Sequence, residues 1–292
     1  MTKMRRFGTI TFWFSVFRRN RLGLLGLATL AFFLILTAFG PNIAPYDPEK
    51  TNYLPNGSPA ILAPPSWEHW FGTDLIGKDI LSQVITGAAT SVYVGVITAI
   101  VSVVIGTTVG LVAGYYGGIV DEVLMRATDT IYGIPFLPFV IVVVTVLNPT
   151  LPTIILAIAL ISWRTTARVI RSEVLTVKER AYVEAARVIG ESNRRIIHNH
   201  VLPQVMPLSM YYTAMNMGWA ILAETSISFL GFGDAHRESW GAVLYMARYA
   251  NAMRYAWWWV VPPGMFIVLL VLSTFLVGRA IEEVVNPRLR EV

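Results

Sequence analysis

The polar residues best placed to do chemistry fall in one segment, Tyr182 to Pro203, YVEAARVIGESNRRIIHNHVLP. It holds Glu184, Ala185, Ala186, Gly190, Arg194, Arg195, His198, His200, Leu202 and Pro203. Their order does not suit catalysis: His198 and His200 point to different faces of a helix, which argues against a metal pair, and no HExxH or CxxC occurs. No GxxxxGK[ST] loop is present, so nucleotide is not held by that route. The segment reads instead as a docking hairpin. Small Ala185 and Ala186 allow close helix approach, Gly190 reverses the chain, and Ser192 or Asn193 caps a second short helix. Pro203 then stops that helix from running on. Ile196, Ile197 and His200 lie at helical spacing for one docking face. Gly190→Pro is therefore expected to spare folding and abolish function.

Two carboxylates stand apart from this segment. Glu224 falls deep in an apolar run and Asp129 at the entry to another. A charge at mid-bilayer costs about 2.5–3.5 kcal/mol on insertion scales, so each must face other helices or a wet cavity. Either they are pathway or gating groups, or they are carboxylates hydrogen-bonded across a helix contact; the second reading is preferred.

The elements that position these groups are membrane spans. Of 292 residues 55% are apolar and 14% charged, with a mean hydropathy of +0.58, whereas soluble domains carry about 25% charged residues. Residues 1–21 are basic and aromatic, suited to a cytoplasmic membrane surface or to a disordered tail. A first span is expected over 22–39, then a Pro-rich extracytoplasmic loop over 40–83 too poor in apolar residues to be a domain. A five-span core follows over 84–280, carrying the hairpin at 182–203, and a cytoplasmic tail over 281–292. The second span is placed at 91–113, where Gly106, Gly110 and Gly114 recur every four residues and let another backbone come close. The third span runs to Leu147 and is kinked by Pro135 and Pro138. The fourth starts near Leu151, and Arg164, Arg168 and Arg171 continue it as one basic face turned to water or lipid phosphate. The fifth covers 205–230 and the sixth 256–278, opening on Trp257, Trp258 and Trp259 at an interface.

Six spans with both termini cytoplasmic put 18 of the 23 Lys and Arg residues inside and 5 outside. That is the positive-inside pattern, so the formal charge of +5 is topological and does not indicate nucleic acid. Few carboxylates lie along the spans, which argues that transport energy would come from elsewhere than a proton relay.

Glu184-Ala185-Ala186, Gly190 and Leu202-Pro203 resemble the EAA signature of ABC-importer permeases. NRLGLLGL, APYDP, FGTDLIGKDILSQVITGA, ILAETSISFLGFG and SWG narrow the resemblance to the dipeptide/oligopeptide/nickel permease family and its C-type subunit. Lys78 and Gln83 stand where that pattern has Arg, and Asp234 to Ser239 is short and lacks its prolines. The resemblance implies an all-α polytopic fold of the type I importer permease kind, with no catalysis, metal or cofactor of its own. ATP and Mg would sit on two partner ATP-binding subunits. A sister permease and an extracytoplasmic solute-binding protein complete the assembly in the inner membrane. Glu184, Ala185, Ala186, Gly190, Arg194, Arg195, Ile197, His200, Leu202 and Pro203 would carry coupling, and the cargo would be peptide, nickel or oligosaccharide. The alternative class is a secondary transporter or channel without ATPase subunits.

Overall fold

The computed structural model describes residues 20–285; the basic N-terminal segment and Arg288 and Arg290 of the tail lie outside them. Among the described residues the chain is helical, with two isolated bridges, Tyr53 to Pro59 and Thr73 to Asp79. Helix α1 (Arg21–Ile43) starts on Asn20, whose side chain accepts from the Gly23 amide and donates to Glu283 near the chain's other end. It outruns the expected end at residue 39 and carries Pro41 within its last turn.

Helix α2 (Ile80–Tyr116) corrects both the loop boundary at 83 and the span at 91–113. It is one unbroken helix of 37 residues, about 55 Å long, against ~30 Å of hydrocarbon. Asp79 caps it, accepting from the Ser82 amide at 2.8 Å and the Ser82 hydroxyl at 2.7 Å, and it stops at Gly117, φ +67°. The same carboxylate lies 2.9 Å from Nδ1 of the buried His69, so α2's first turn anchors the loop between α1 and α2. Asp74 fixes that loop a second time, accepting from the Lys78 amide at 2.9 Å and from Gln83 Nε2 at 3.0 Å. Burial pushes the nearby Glu238 carboxyl above its usual range, with Lys78 opposing.

The expected kinked third span is two helices, α3 (Gly118–Tyr132) and α4 (Phe136–Leu147), bent by 89°. Pro135 is the reason. It is extended at φ −63°, ψ 123°, cannot continue α3's bonding, and biases Ile134 away from helix. Pro138 is harmless in α4's first turn. Then come α5 (Leu151–Val177), α6 (Ala181–Val188), α7 (Asn193–Ile196), a π turn (Ile197–Val201) and α8 (Leu202–Phe229). After these, α9 (Trp240–Tyr249) was not foreseen in the segment joining the last two spans. Ser239 caps it through the Ala242 amide, and it buries Trp240, whose ring N–H donates to the Val84 carbonyl at 2.8 Å. The chain closes on α10 (Trp257–Val285), longer than the expected 256–278.

Helices α1, α2, α5 and α10 are each long and apolar enough to cross a membrane, and the bent α3–α4 pair makes a fifth candidate. Helix α8 has the length but is more polar; with it the count is roughly consistent with the expected six. The most extensive pairing is α2 on α5, and Gly106, Gly110 and Gly114 make it. A Cβ at Gly106 would meet the Trp163 carbonyl at 2.6 Å, one at Gly110 the Ala167 carbonyl at 2.6 Å, and one at Gly114 Val174 Cβ at 2.8 Å.

Gly110→Ala is therefore expected to overpack this seam and cost about 1–3 kcal/mol. Gly264→Ala, with nothing within 4 Å of the new carbon, serves as the control. Thermal unfolding in detergent should show several degrees lost for the first and none for the second; equal midpoints would remove the seam from the account.

Candidate functional site

Helix α6 ends in a Schellman closure. The Gly190 amide donates to the Arg187 carbonyl at 3.1 Å and the Glu191 amide to the Ala186 carbonyl at 3.0 Å. Gly190 sits at φ +86°, and a Cβ added there would meet nothing within 4 Å, so the demand on glycine is conformational, not spatial. Proline, locked near φ −65° and lacking the N–H, would rebuild the turn, so Gly190→Pro would not spare the local fold. Ser192 stands at the N-cap of α7 but makes no side-chain cap bond. Asn193 instead accepts from the Tyr115 hydroxyl at 2.9 Å, tying the hairpin to the end of α2. Lys178 Nζ donates to the Gly114 carbonyl at 2.9 Å, tying the end of α5 to the same place.

Pro203 does not stop the second arm. From Asn193 the chain runs through the π turn into α8 without a break. The wider π turn ends at Val201, just before Leu202 and Pro203, and such a register change accommodates a residue that cannot donate to the carbonyl four back.

The hairpin's inner face is its own core. Val183, Ala186, Ile196, Val201 and Val205 bury against Ile170, Val174 and Val177 of α5, with Ile197 and Leu202 packed on the edge. Ile196 is wholly buried, which removes it from the expected docking face. Glu184, Ala185, Arg187, Arg194, Arg195 and Pro203 are exposed. So are Val188 and Ile189, each 82% exposed at the apex beside Gly190. Sequence reasoning missed these two. The signal was there: Val183 and Ala186 at helical spacing claim the inner face, which leaves the next apolar pair outside.

Glu191 was also missed. Its carboxylate reaches His200 Nε2 at 2.8 Å and lies 4.0 Å from Arg195, while 14% of its side chain is exposed. The His200 ring sits 6.4 Å from that of Tyr182. His200 thus joins the first arm of the hairpin to the second. His198 is exposed, and among the described residues no group of three His, Cys, Asp or Glu could hold a metal.

The basic face of α5 meets α3, with Arg168 and Asp129 still about half exposed. Arg168 binds Asp129 at 2.7 Å and stacks over the Tyr132 ring at 4.2 Å; Arg171 grips Asp121 with two nitrogens. Glu224, 1% exposed, accepts from the Ser228 hydroxyl one turn along α8 at 2.7 Å.

Residues 106–291 match the family described as binding-protein-dependent transport system inner membrane component, and residues 11–65 match the N-terminal TM domain of oligopeptide transport permease C. The chain is 34% identical over 274 residues to the dipeptide transport system permease protein DppC of Bacillus subtilis strain 168, covering 94% of this chain and 84% of that one. It is 35% identical over 285 residues to the glutathione transport system permease protein GsiD of Escherichia coli O6:K15:H31, covering 96% and 90%. Among solved structures it is similar to a chain of the MetNI methionine ABC transporter, with TM-score 0.56, 16% identity, and 70% and 95% of the two chains covered. That last likeness concerns the fold alone.

Breaking the Glu191–His200 contact is expected to loosen the hairpin without unfolding the chain. A partly exposed pair of this kind contributes on the order of 1 kcal/mol, so Glu191→Ala should raise local opening about fivefold. Limited trypsinolysis at Arg187, Arg194 and Arg195 measures this; wild-type cleavage rates would show that the pair holds nothing.

Proposed function

We propose, for a chain that belongs to the binding-protein-dependent transport system inner membrane component family, that it is the C-type permease subunit of an ATP-driven peptide importer. Relatives named for dipeptide, oligopeptide and glutathione transport support peptide cargo over nickel or oligosaccharide. The chain pairs with a sister permease, receives cargo from an extracytoplasmic solute-binding protein and docks two ATP-binding subunits, which hold ATP and Mg. It catalyses nothing itself. The distribution of Lys and Arg supports a bacterial inner-membrane topology with both termini and the 182–203 hairpin in the cytoplasm.

The observation that carries the coupling role is the hairpin's two-sided construction. Its inner face is packed into α5 and α8, while Val188 and Ile189 protrude uncovered. Apolar residues at that exposure on an ordered tip suit insertion into a partner's cleft. Closure of the ATP-binding subunits would displace the tip, and the packed inner face would pass the displacement to α5 and α8 together. Helix α3 follows α5 through Arg168–Asp129 and Arg171–Asp121. Glu184, Arg194 and Arg195 supply the polar rim around the apolar tip.

Replacing both Val188 and Ile189 by Asp should leave insertion and pairing with the sister permease intact. Uptake into vesicles should fall at least about tenfold, the effect of losing ~1.4 kcal/mol of docking, and a mild-detergent pull-down should lose the ATP-binding subunits. Undiminished ATP-dependent uptake by this variant would sink the docking assignment.

A further inference from the structure

Two cavities open along one face of α8. The one nearer the hairpin, about 290 Å³, is lined by Ser162, Arg164 and Thr165 of α5 and by Tyr212, Asn216 and Trp219 of α8, among others. The one farther away, about 340 Å³, lies between Phe136 of α4 and Leu222 and Ser226 of α8, again with Trp219. Trp219 is shared, so the two form one groove. From Tyr212 to Ser226 it follows about 21 Å of helix, most of the thickness of a bilayer core of ~30 Å.

The charge in this groove is one-sided. No acidic residue lines either cavity, and Arg164 is the single formally charged group on their walls. Its neighbours on the basic face of α5, Arg168 and Arg171, each hold a carboxylate. Arg164 holds none among the described residues. Its contacts are a 3.4 Å bond to the Ile131 carbonyl and the face of the Tyr132 ring, 4.8 Å from the guanidinium carbon. Arg164 lies on a helix long and apolar enough to cross a membrane, where a charge faces a protein interior or a wet cavity and is a functional-site candidate. A guanidinium presents a planar fork that matches a carboxylate in two-point geometry. Trp219 and Tyr212 alongside offer aromatic faces, which receive apolar side chains of many shapes.

We propose that this groove is the chain's wall of the cargo path, and that Arg164 is a subsite for a cargo carboxylate, the C-terminal group of a short peptide. The proposal rests on the importer reading above and adds to it where and by what chemistry the membrane subunit holds cargo. A lipid phosphate offers the same fork similar chemistry, and the test separates the two.

The complete importer, with its binding protein, is reconstituted in liposomes and given a tripeptide or the same tripeptide as its C-terminal amide. Arg164→Gln should cut uptake of the free acid at least tenfold while amide uptake stays within twofold of wild type, and Arg164→Lys should fall between. A second readout needs no binding protein: saturation-transfer NMR on the purified permease pair should show contact with the free acid that Arg164→Gln abolishes. Equal losses for acid and amide, or losses that vary with the anionic lipid content of the vesicle, would overturn the subsite in favour of a helix clamp or a lipid contact. An unchanged acid-to-amide ratio with unchanged NMR contact would also overturn it. Wild-type vesicles that take up neither peptide would overturn the importer reading itself, and the subsite with it.

Discussion

The seam between α2 and α5 is the constraint on which the rest depends. Inside lipid no hydrophobic drive separates one helix from another, because the tails are as apolar as leucine, so association rests on close packing. Gly106, Gly110 and Gly114 bring the backbone of α2 against Trp163, Ala167, Arg171 and Val174. That contact holds α5 against α2, and α5 in turn carries Arg164 and the bed of the hairpin. Its apolar half faces α4 and α8, its basic face holds α3, and its last turns form the bed on which the hairpin packs. Polar contacts finish the seam at the hairpin end, where Lys178 reaches the Gly114 carbonyl and Tyr115 reaches Asn193.

The hairpin is therefore a rigid spur between two long helices and not a flexible loop. A Schellman closure ends its first arm, and the second merges with α8 through the π turn. A stop at Pro203 would have left a joint between hairpin and span. The continuous helix leaves none, and a displacement at Val188 and Ile189 has no slack segment in which to dissipate. The Glu191–His200 contact closes the remaining degree of freedom, the angle between the two arms.

Much of this was legible in the sequence. The apolar runs, the distribution of bases and the hairpin signature pointed to the membrane class and the family to which the chain belongs. Local rules failed where tertiary context decides. An uncharged run from Ile80 to Val120 carries no mark of where lipid ends, so α2's length was understated. Proline was over-read at 203, where a π turn absorbs it, and under-read at 135, where it turns the chain through 89°. The ion pairs of α5's basic face went unread because its partners, Asp121 and Asp129, precede it by 50 and 39 residues. Val188, Ile189 and Glu191 went unread because the eye follows the small and cationic residues of the motif, whereas exposure is set by which residues the inner face has already claimed.

Charge also bears on how work enters the molecule. Arg164 is the one formally charged group on the groove's walls, and its planar fork suits an anion. Glu224 could titrate in principle, yet it is walled off at 1% exposure with Ser228 on its carboxylate, and it lines neither cavity of the groove. On the importer reading, the bias that changes the groove's exposure arrives mechanically through the hairpin. On that reading the displacement would pass from the hairpin apex through the core shared by α5 and α8, the two helices that supply Arg164 on one wall and Trp219 on the other.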